Sequence, residues 1–356
     1  MARQTLTRRP WEPVTQLIAI MVLLLATVPS TAGVARLREV GHPATLVSLL
    51  LFAAWLLSRL YRGFLPRGAQ PMRWLVWLCL ATTLAVYAAG LWRGMTHLQE
   101  EAAIWGFLAS LGFFGIILAI ADGVRSKERL TGVVGIALLG GAIIAAVKLA
   151  REAGTVGDTE LGILAALLLP LCIHMGRFGY TRPARHWSAL CGVLMLVVLA
   201  LAVSAIALVV LGLALLVLLP QWSWRTRFNF VVPGLLLAAG LVYIVPTSLP
   251  TVTALFTEPE MPWLRDLAMR DVPQTVSLAV LHLGAIVLAV VGYRRSAELA
   301  DRHLCACLIA FQLGVIAVGL MFDPFGLHHY VFFVAIMTGA AAAMFRLTAP
   351  QVLNQS

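Results

Sequence analysis

Four arginines in the sequence are candidates for binding an anionic group. Arg93 and Arg151 each end a long apolar run, and Arg265 and Arg270 lie in the polar segment 247–272. A guanidinium group can hold phosphate through two parallel hydrogen bonds, so arginine suits this task. Any one of them alone is better explained as a side chain that reaches the membrane interface and contacts ordinary lipid phosphates. As a cluster, the four predict a basic pocket at one membrane face.

Two further residues are candidates for acid–base chemistry. His97 lies beside Glu100 and Glu101, and a histidine held by a carboxylate is a common general base. An exposed loop histidine explains the same spacing. Glu160 begins an apolar run and follows Arg151 after a short polar turn. It therefore either belongs to a site or simply pairs with that arginine.

The sequence predicts no metal site and no cofactor. The five cysteines lie in or beside apolar runs, and the Cys305-x-Cys307 pair lacks a second pair, so we interpret them as buried thiols. His328 and His329 are adjacent, and adjacent residues do not share a helix face, which disfavours a shared metal ion. His282 lies well inside an apolar run, where an ionisable group is either functional or bonded to a neighbouring helix.

The composition identifies the class of protein that must position these residues. Of the 356 residues, 61% are hydrophobic and only 12% are charged, and the charges fall in short clusters between long apolar runs. This composition predicts an all-α, polytopic integral membrane protein. The net charge of +10 would suit nucleic acid, but a basic excess in cytoplasmic loops is the commoner cause in such a chain. No nucleic-acid partner is therefore predicted.

We predict about twelve membrane spans in a single transmembrane domain, 1–356, with both termini inside. This topology puts 19 of the 26 Lys and Arg residues on the cytoplasmic side, as the positive-inside rule requires. The longest external loop is then 247–272. The predicted spans are residues 15–31, 43–60, 73–92, 103–121, 130–150, 160–176, 187–203, 205–220, 228–246, 274–293, 303–322 and 328–345.

One uncharged stretch, 187–220, decides the sidedness of everything that follows it. Its 34 residues would form a helix of about 50 Å, against a hydrocarbon core of about 30 Å. Treating it as one span would leave only 15 Lys and Arg inside against 11 outside. We therefore predict two short helices that reverse direction at an outer turn near Ser204.

Several stretches resemble the O-antigen ligase and polymerase superfamily, in particular its actinobacterial members. Each is weak alone, but they occur in the family's order and cover most of the chain. They are GHPATLVSLLLFAAWLLSRL from Gly41, QPMRWLVWLCLATTLAVYAAGLWRG from Gln70, ADGVRSKERL from Ala121, ELGILAALLLPLCIH from Glu160, LPQWSWRTR from Leu219, ADRHL from Ala300 and FDPFGLHHYVFFVAIMTGAAAAMFRL from Phe322.

The resemblance implies a glycosyltransferase in the bacterial cytoplasmic membrane. Such proteins take a glycan from a polyprenyl diphosphate at the outer face and pass it to an acceptor, using cations to hold the diphosphate and a base to activate the acceptor hydroxyl. No metal or nucleotide is needed, because the diphosphate is the leaving group. The implied partners are a polyprenyl-diphosphate-linked glycan, membrane lipids and other proteins of envelope-polysaccharide assembly. Glu160 matches the glutamate of the family's Glu-x-Gly helix, and the implied diphosphate-binding residues are Arg93, Arg151, Arg265 and Arg270.

The chain also departs from the family pattern at two places. The family commonly has Ser-Arg at the outer turn where this chain has Ser204-Ala205, and many relatives have His or Asp followed by Asn where it has Pro273-Gln274. His282 and its neighbours replace an acidic pair. A second hypothesis is therefore a catalytically inactive relative that binds lipid-linked glycan or docks a partner. An ion-coupled transporter is a distant third, because the spans contain few acids and no clear repeat.

Overall fold

The computed structural model describes residues 13–28, 42–60, 70–92, 94, 96–151, 158–202, 204–225, 227–229, 232, 234, 272–321 and 327–349. Within these ranges the chain forms helices and no strand, so the all-α class is confirmed. The helices are α1 (Pro13–Thr27), α2 (Pro43–Leu60), α3 (Met72–Trp92), α4 (His97–Gly123), α5 (Lys127–Arg151), α6 (Thr159–Phe178), α7 (Arg182–Ala202), α8 (Ala205–Leu218), α9 (Val272–Arg295), α10 (Leu299–Met321) and α11 (His328–Leu347).

The chain is a multi-pass membrane protein. Within the described ranges, nine helices are long and apolar enough to cross a membrane, and α1 and α8 are shorter apolar helices. These eleven helices correspond to eleven of the twelve predicted spans. The other predicted span, 228–246, and the predicted external loop, 247–272, lie almost entirely outside the described residues.

The uncharged stretch does break into two helices at Ser204. α7 ends at Ala202 and α8 begins at Ala205, with Ser204 between them in an extended conformation. Both flanks of the break pack against the first turn of α6. A Cβ atom added at Gly162 would lie 2.8 Å from the Cβ of Ala202 and 3.5 Å from the Cβ of Ala207.

Contacts at the far end of α8 show that the chain reverses direction at Ser204. Trp222, just after α8, donates its Nε1 hydrogen to His303 Nε2 at 3.1 Å. The Nδ1 atom of His303 lies 3.2 Å from Nδ1 of His174, near the end of α6. α8 therefore runs parallel to α6 and antiparallel to α7, so the predicted break of the stretch into two helices at Ser204 is confirmed.

The two ends of the helix bundle differ in charge. The Glu160 end is where α6 and α11 begin, and the Asp122 end is where α4 ends and α5 begins. Apart from Lys148 and Arg151, every Lys and Arg in the described ranges lies at the Asp122 end. This is the asymmetry on which the predicted sidedness depends, with the Asp122 end cytoplasmic.

Glycines allow several helices to approach closely. A Cβ atom at Gly115 of α4 would lie only 2.6 Å from the Cβ of Phe52 and 2.8 Å from its backbone nitrogen. A Cβ atom at Gly339 of α11 would lie 3.0 Å from the carbonyl oxygen of Ile117. Apolar side chains gain little by leaving lipid, so close backbone packing of this kind contributes strongly to helix association in membranes.

The substitution Gly115→Ala tests this packing. The new methyl group meets backbone atoms that cannot rotate away, so we expect the free energy of unfolding to fall by about 1–3 kcal/mol. Gly106→Ala in the same helix is the matched control, because a Cβ atom there meets nothing within 4 Å. Unfolding titrations in mixed micelles measure both. Equal stability of the two variants would contradict the close approach of α2 and α4.

Candidate functional site

The carboxylate of Glu160 caps the first turn of another helix. Glu160 is the second residue of α6, and its side chain is 15% exposed. Its Oε1 atom accepts hydrogen bonds from the backbone nitrogens of His329 at 2.8 Å and Tyr330 at 3.4 Å. The start of α11 presents unpaired N–H groups and a partial positive charge, which together stabilise an anion there.

The same carboxylate holds an imidazole and an ammonium group. His329 Nδ1 lies 3.4 Å from Glu160 Oε1, and Lys148 Nζ lies 3.3 Å from Glu160 Oε2. Lys148 also donates to Asp158 Oδ2 at 2.6 Å, and Asp158 Oδ1 caps α6 by accepting from the backbone nitrogen of Leu161. The network joins α5, α6 and α11. With its Nδ1 proton directed at Glu160, the His329 ring has Nε2 as its basic atom.

Two more histidines, His42 and His328, lie at the same end of the bundle as His329. The Nε2 atom of His42 donates to the carbonyl oxygen of Val28 at 3.2 Å, and its Nδ1 atom accepts from the backbone nitrogen of Ala44 at 3.2 Å. Both ring nitrogens are thus used to fix the ends of α1 and α2. Burial is the main cause that lowers the pKa of His42, which favours a neutral ring. That ring lies edge-on to His328, with centroids 4.8 Å apart.

His328 carries a polar atom that the protein does not satisfy. Its Nε2 atom is buried and has no hydrogen-bond partner within the described part of the chain. Leaving a buried polar atom unpaired costs about 1–3 kcal/mol, and such an atom in a native protein calls for an explanation. A hydroxyl group of a ligand can either donate to or accept from this nitrogen, whichever tautomer is present.

Of the predicted site residues, Glu160 and Arg151 have described side chains. Arg151 ends α5 and is exposed at the Glu160 end, where it forms no ion pair with the described residues. The expected pairing of Glu160 with Arg151 is not observed. Lys148, three residues earlier on α5, takes that place. Both cations lie near the end of α5, and it is the side chain of Lys148 that contacts Glu160.

The other predicted site residues cannot be placed in this network. Arg93, Arg265 and Arg270 lie outside the described residues, as does the side chain of His97, which begins α4 at the Glu160 end.

Sequence reasoning missed the roles of the three histidines. The adjacency of His328 and His329 correctly predicts that they do not share a face, since they contact different partners, His42 and Glu160. The available signal was the position of this pair at the start of an apolar run, where unpaired backbone N–H groups attract a carboxylate. Among the described residues, no group of three or more His, Cys, Asp or Glu side chains is arranged to hold a metal ion.

Comparison with known proteins adds no relative to this picture. No family model matches the chain, and neither a curated protein nor a solved structure matches it significantly.

Proposed function

We propose that this chain is a membrane glycosyltransferase of the O-antigen ligase and polymerase type, acting in envelope-polysaccharide assembly at the outer face of the bacterial cytoplasmic membrane. Its donor is a glycan linked to polyprenyl diphosphate. The observation that carries the proposal is the pairing of Glu160 with His329. It provides an oriented base at the end of the bundle where the sequence resemblance puts the lipid diphosphate.

The reaction needs one proton transfer and one displacement. The acceptor hydroxyl gives its proton to His329 Nε2 while its oxygen bonds to the anomeric carbon of the donor. The bond from that carbon to the diphosphate oxygen breaks, and the diphosphate leaves with the electron pair. Glu160 acts as the positioning residue, since its charge orients the ring and stabilises the imidazolium that forms.

The departing diphosphate requires cations at the same end. Lys148 is already engaged by Glu160 and Asp158, so it serves the network more than a ligand. Arg151, exposed on the next turn of α5, has a guanidinium group available for two hydrogen bonds to phosphate. Arg93, Arg265 and Arg270 complete the proposed set of diphosphate-binding residues.

One observation favours the second candidate, a catalytically inactive relative that binds lipid-linked glycan or docks a partner. α8 begins at Ala205, next to the first turn of α6 that carries Glu160. Where the family commonly has a cation, this chain presents a methyl group. The diphosphate therefore has one fewer positive charge to stabilise it as it leaves.

Binding and transfer measured separately on purified protein in lipid nanodiscs test the proposal. The binding probe is a polyprenyl diphosphate, and the transfer probe is the same lipid bearing a short oligosaccharide. We expect Arg151→Ala to weaken binding about tenfold or more, the effect of losing a charge-assisted hydrogen bond. Arg294→Ala, an exposed arginine at the Asp122 end, is the control and should bind normally.

The outcomes separate the candidates. Binding with transfer supports the enzyme, whereas binding without any transfer favours the inactive relative. Equal binding by the Arg151 and Arg294 variants would remove Arg151 from the site. No binding by the unaltered protein would contradict the enzyme and the lipid-glycan-binding role of the inactive relative.

A further inference from the structure

An apolar groove lies between two neighbouring helices in the half of the bundle nearer the Asp122 end. Its volume is about 600 Å³, and Met175 of α6 forms its floor. One wall is the α5 face that includes Gly132 and Gly135, and the other is the α7 face that includes Trp187 and Cys191. A Cβ atom at Gly132 would meet nothing within 4 Å, so the missing side chain contributes to the open space.

The groove opens on the perimeter of the helix bundle. Leu139 and Trp187 line it and are 48% and 61% exposed. Because α5, α6 and α7 are all long apolar helices, this perimeter faces the hydrocarbon of the bilayer. An empty apolar groove would forfeit the dispersion contacts of its walls, whereas a flexible hydrocarbon chain restores them. The occupant with the right chemistry is therefore a lipid acyl chain.

The mouth of the groove indicates the headgroup. Glu128, in the first turn of α5, lines the groove at its Asp122 end together with the uncharged hydroxyl groups of Thr131 and Tyr180. Glu128 is exposed and forms no ion pair within the described part of the chain. A carboxylate in this position repels an anionic headgroup and attracts an ammonium group, with which it forms a charge-assisted hydrogen bond. The exposed Arg182, two residues beyond Tyr180, offers a cation for the phosphate of the same headgroup.

We propose that this groove is a binding site for one phospholipid with a primary-amine headgroup, whose acyl chain lies between α5 and α7 and whose ammonium group contacts Glu128. The site lies in the half of the bundle away from Glu160, and it does not depend on the proposed glycosyl transfer. It adds a specific lipid, in the leaflet at the Asp122 end, to the molecules that this protein recognises.

Native mass spectrometry of the purified full-length protein tests the site. The probes are phosphatidylethanolamine, phosphatidylglycerol and phosphatidylcholine with identical chains. We expect Gly132→Leu to lower the affinity for phosphatidylethanolamine about tenfold or more, because the new side chain fills the groove. Gly212→Leu is the matched control, since a Cβ atom at Gly212 of α8 also meets nothing within 4 Å. Both changes replace glycine by a better helix former, so both variants should fold.

Glu128→Gln tests the headgroup without altering the shape of the groove. We expect it to reduce the preference for phosphatidylethanolamine over phosphatidylcholine, because the amide oxygen accepts from the primary ammonium without the charge assistance of a carboxylate, and a quaternary ammonium donates no such bond to either side chain. Equal affinities in the Gly132 and Gly212 variants would overturn the groove site and leave only unspecific boundary lipid. A preference of the unaltered protein for phosphatidylglycerol, or an unchanged preference in Glu128→Gln, would overturn the assignment of the headgroup.

Discussion

Replacing Asp122 by alanine is expected to lower the free energy of unfolding by about 3–5 kcal/mol, the usual effect of breaking a buried ion pair. The Asp122 side chain is fully buried at the end of α4. Arg73 donates to both of its oxygens, with Nη2 2.8 Å from Oδ1 and Nε 2.9 Å from Oδ2. Trp55 donates its Nε1 hydrogen to Oδ2 at 2.9 Å. The variant leaves a partly buried guanidinium and an indole N–H without their acceptor.

The partners of Asp122 provide graded controls for this prediction. Arg73→Ala should cost nearly as much, because it leaves a buried carboxylate that has lost its bidentate partner. Arg59→Ala should cost less than about 1 kcal/mol, since Arg59 is 34% exposed and lies 3.4 Å from Asp122 Oδ2. Unfolding titrations in mixed micelles measure all three. A loss for Arg59→Ala as large as that for Asp122→Ala would contradict the assignment of Arg73 as the main partner.

The sequence predicts the helices but not the hydrogen-bond network around Asp122. The stretch ADGVRSKERL resembles a cytoplasmic turn, and an acidic residue at the end of a span is ordinarily solvated. The carboxylate is instead enclosed by α2 and α3, and Gln70 and Arg346 both donate to the carbonyl oxygen of Ala121 beside it. These donors come from distant parts of the chain, so no local pattern indicates that they meet at the last turn of α4.

The sequence does not indicate which helices lie inside the bundle and which face lipid, and the reason is physical. α3, α6 and α11 are nearly equally apolar, yet 22% of the span is buried in α3, against 78% in α6 and 78% in α11. In a bilayer, a helix facing lipid and a helix facing other helices are both apolar, so hydropathy does not distinguish them. Length and charge bias did predict the break at Ser204, because both depend on crossing the membrane rather than on packing.

The candidate site was predictable to the same limited extent. Glu160 was identified from the sequence, but its partner was not, because Arg151 and Lys148 lie three residues apart and only the rotation of α5 decides between them. His42 and His329 come from segments far from Glu160 in the chain. Their approach depends on α2, α6 and α11 beginning at the same end of the bundle.

Glu160→Gln is expected to lower the rate of glycan transfer by a factor of about 10²–10⁴, the usual contribution of general base catalysis. Glutamine has the same shape, and its carbonyl oxygen can still accept the backbone hydrogens of His329 and Tyr330 that Glu160 now accepts. It lacks the negative charge that fixes the Nδ1 proton of His329 and stabilises the imidazolium. Binding of the polyprenyl diphosphate should therefore change little. The measurement is transfer in nanodiscs at saturating donor, alongside donor binding.

Two further variants decide whether Glu160 acts through His329. His329→Ala should show the same loss of transfer, and the double variant should lose no more than either single variant, because residues that act as one unit are not additive. Asp158→Asn is the matched control, since Asp158 binds Lys148 and caps α6 without a described contact to His329. Losses that multiply in the double variant would show that the two residues act independently. A full rate of transfer in Glu160→Gln would exclude this pair as the base, whatever the protein binds.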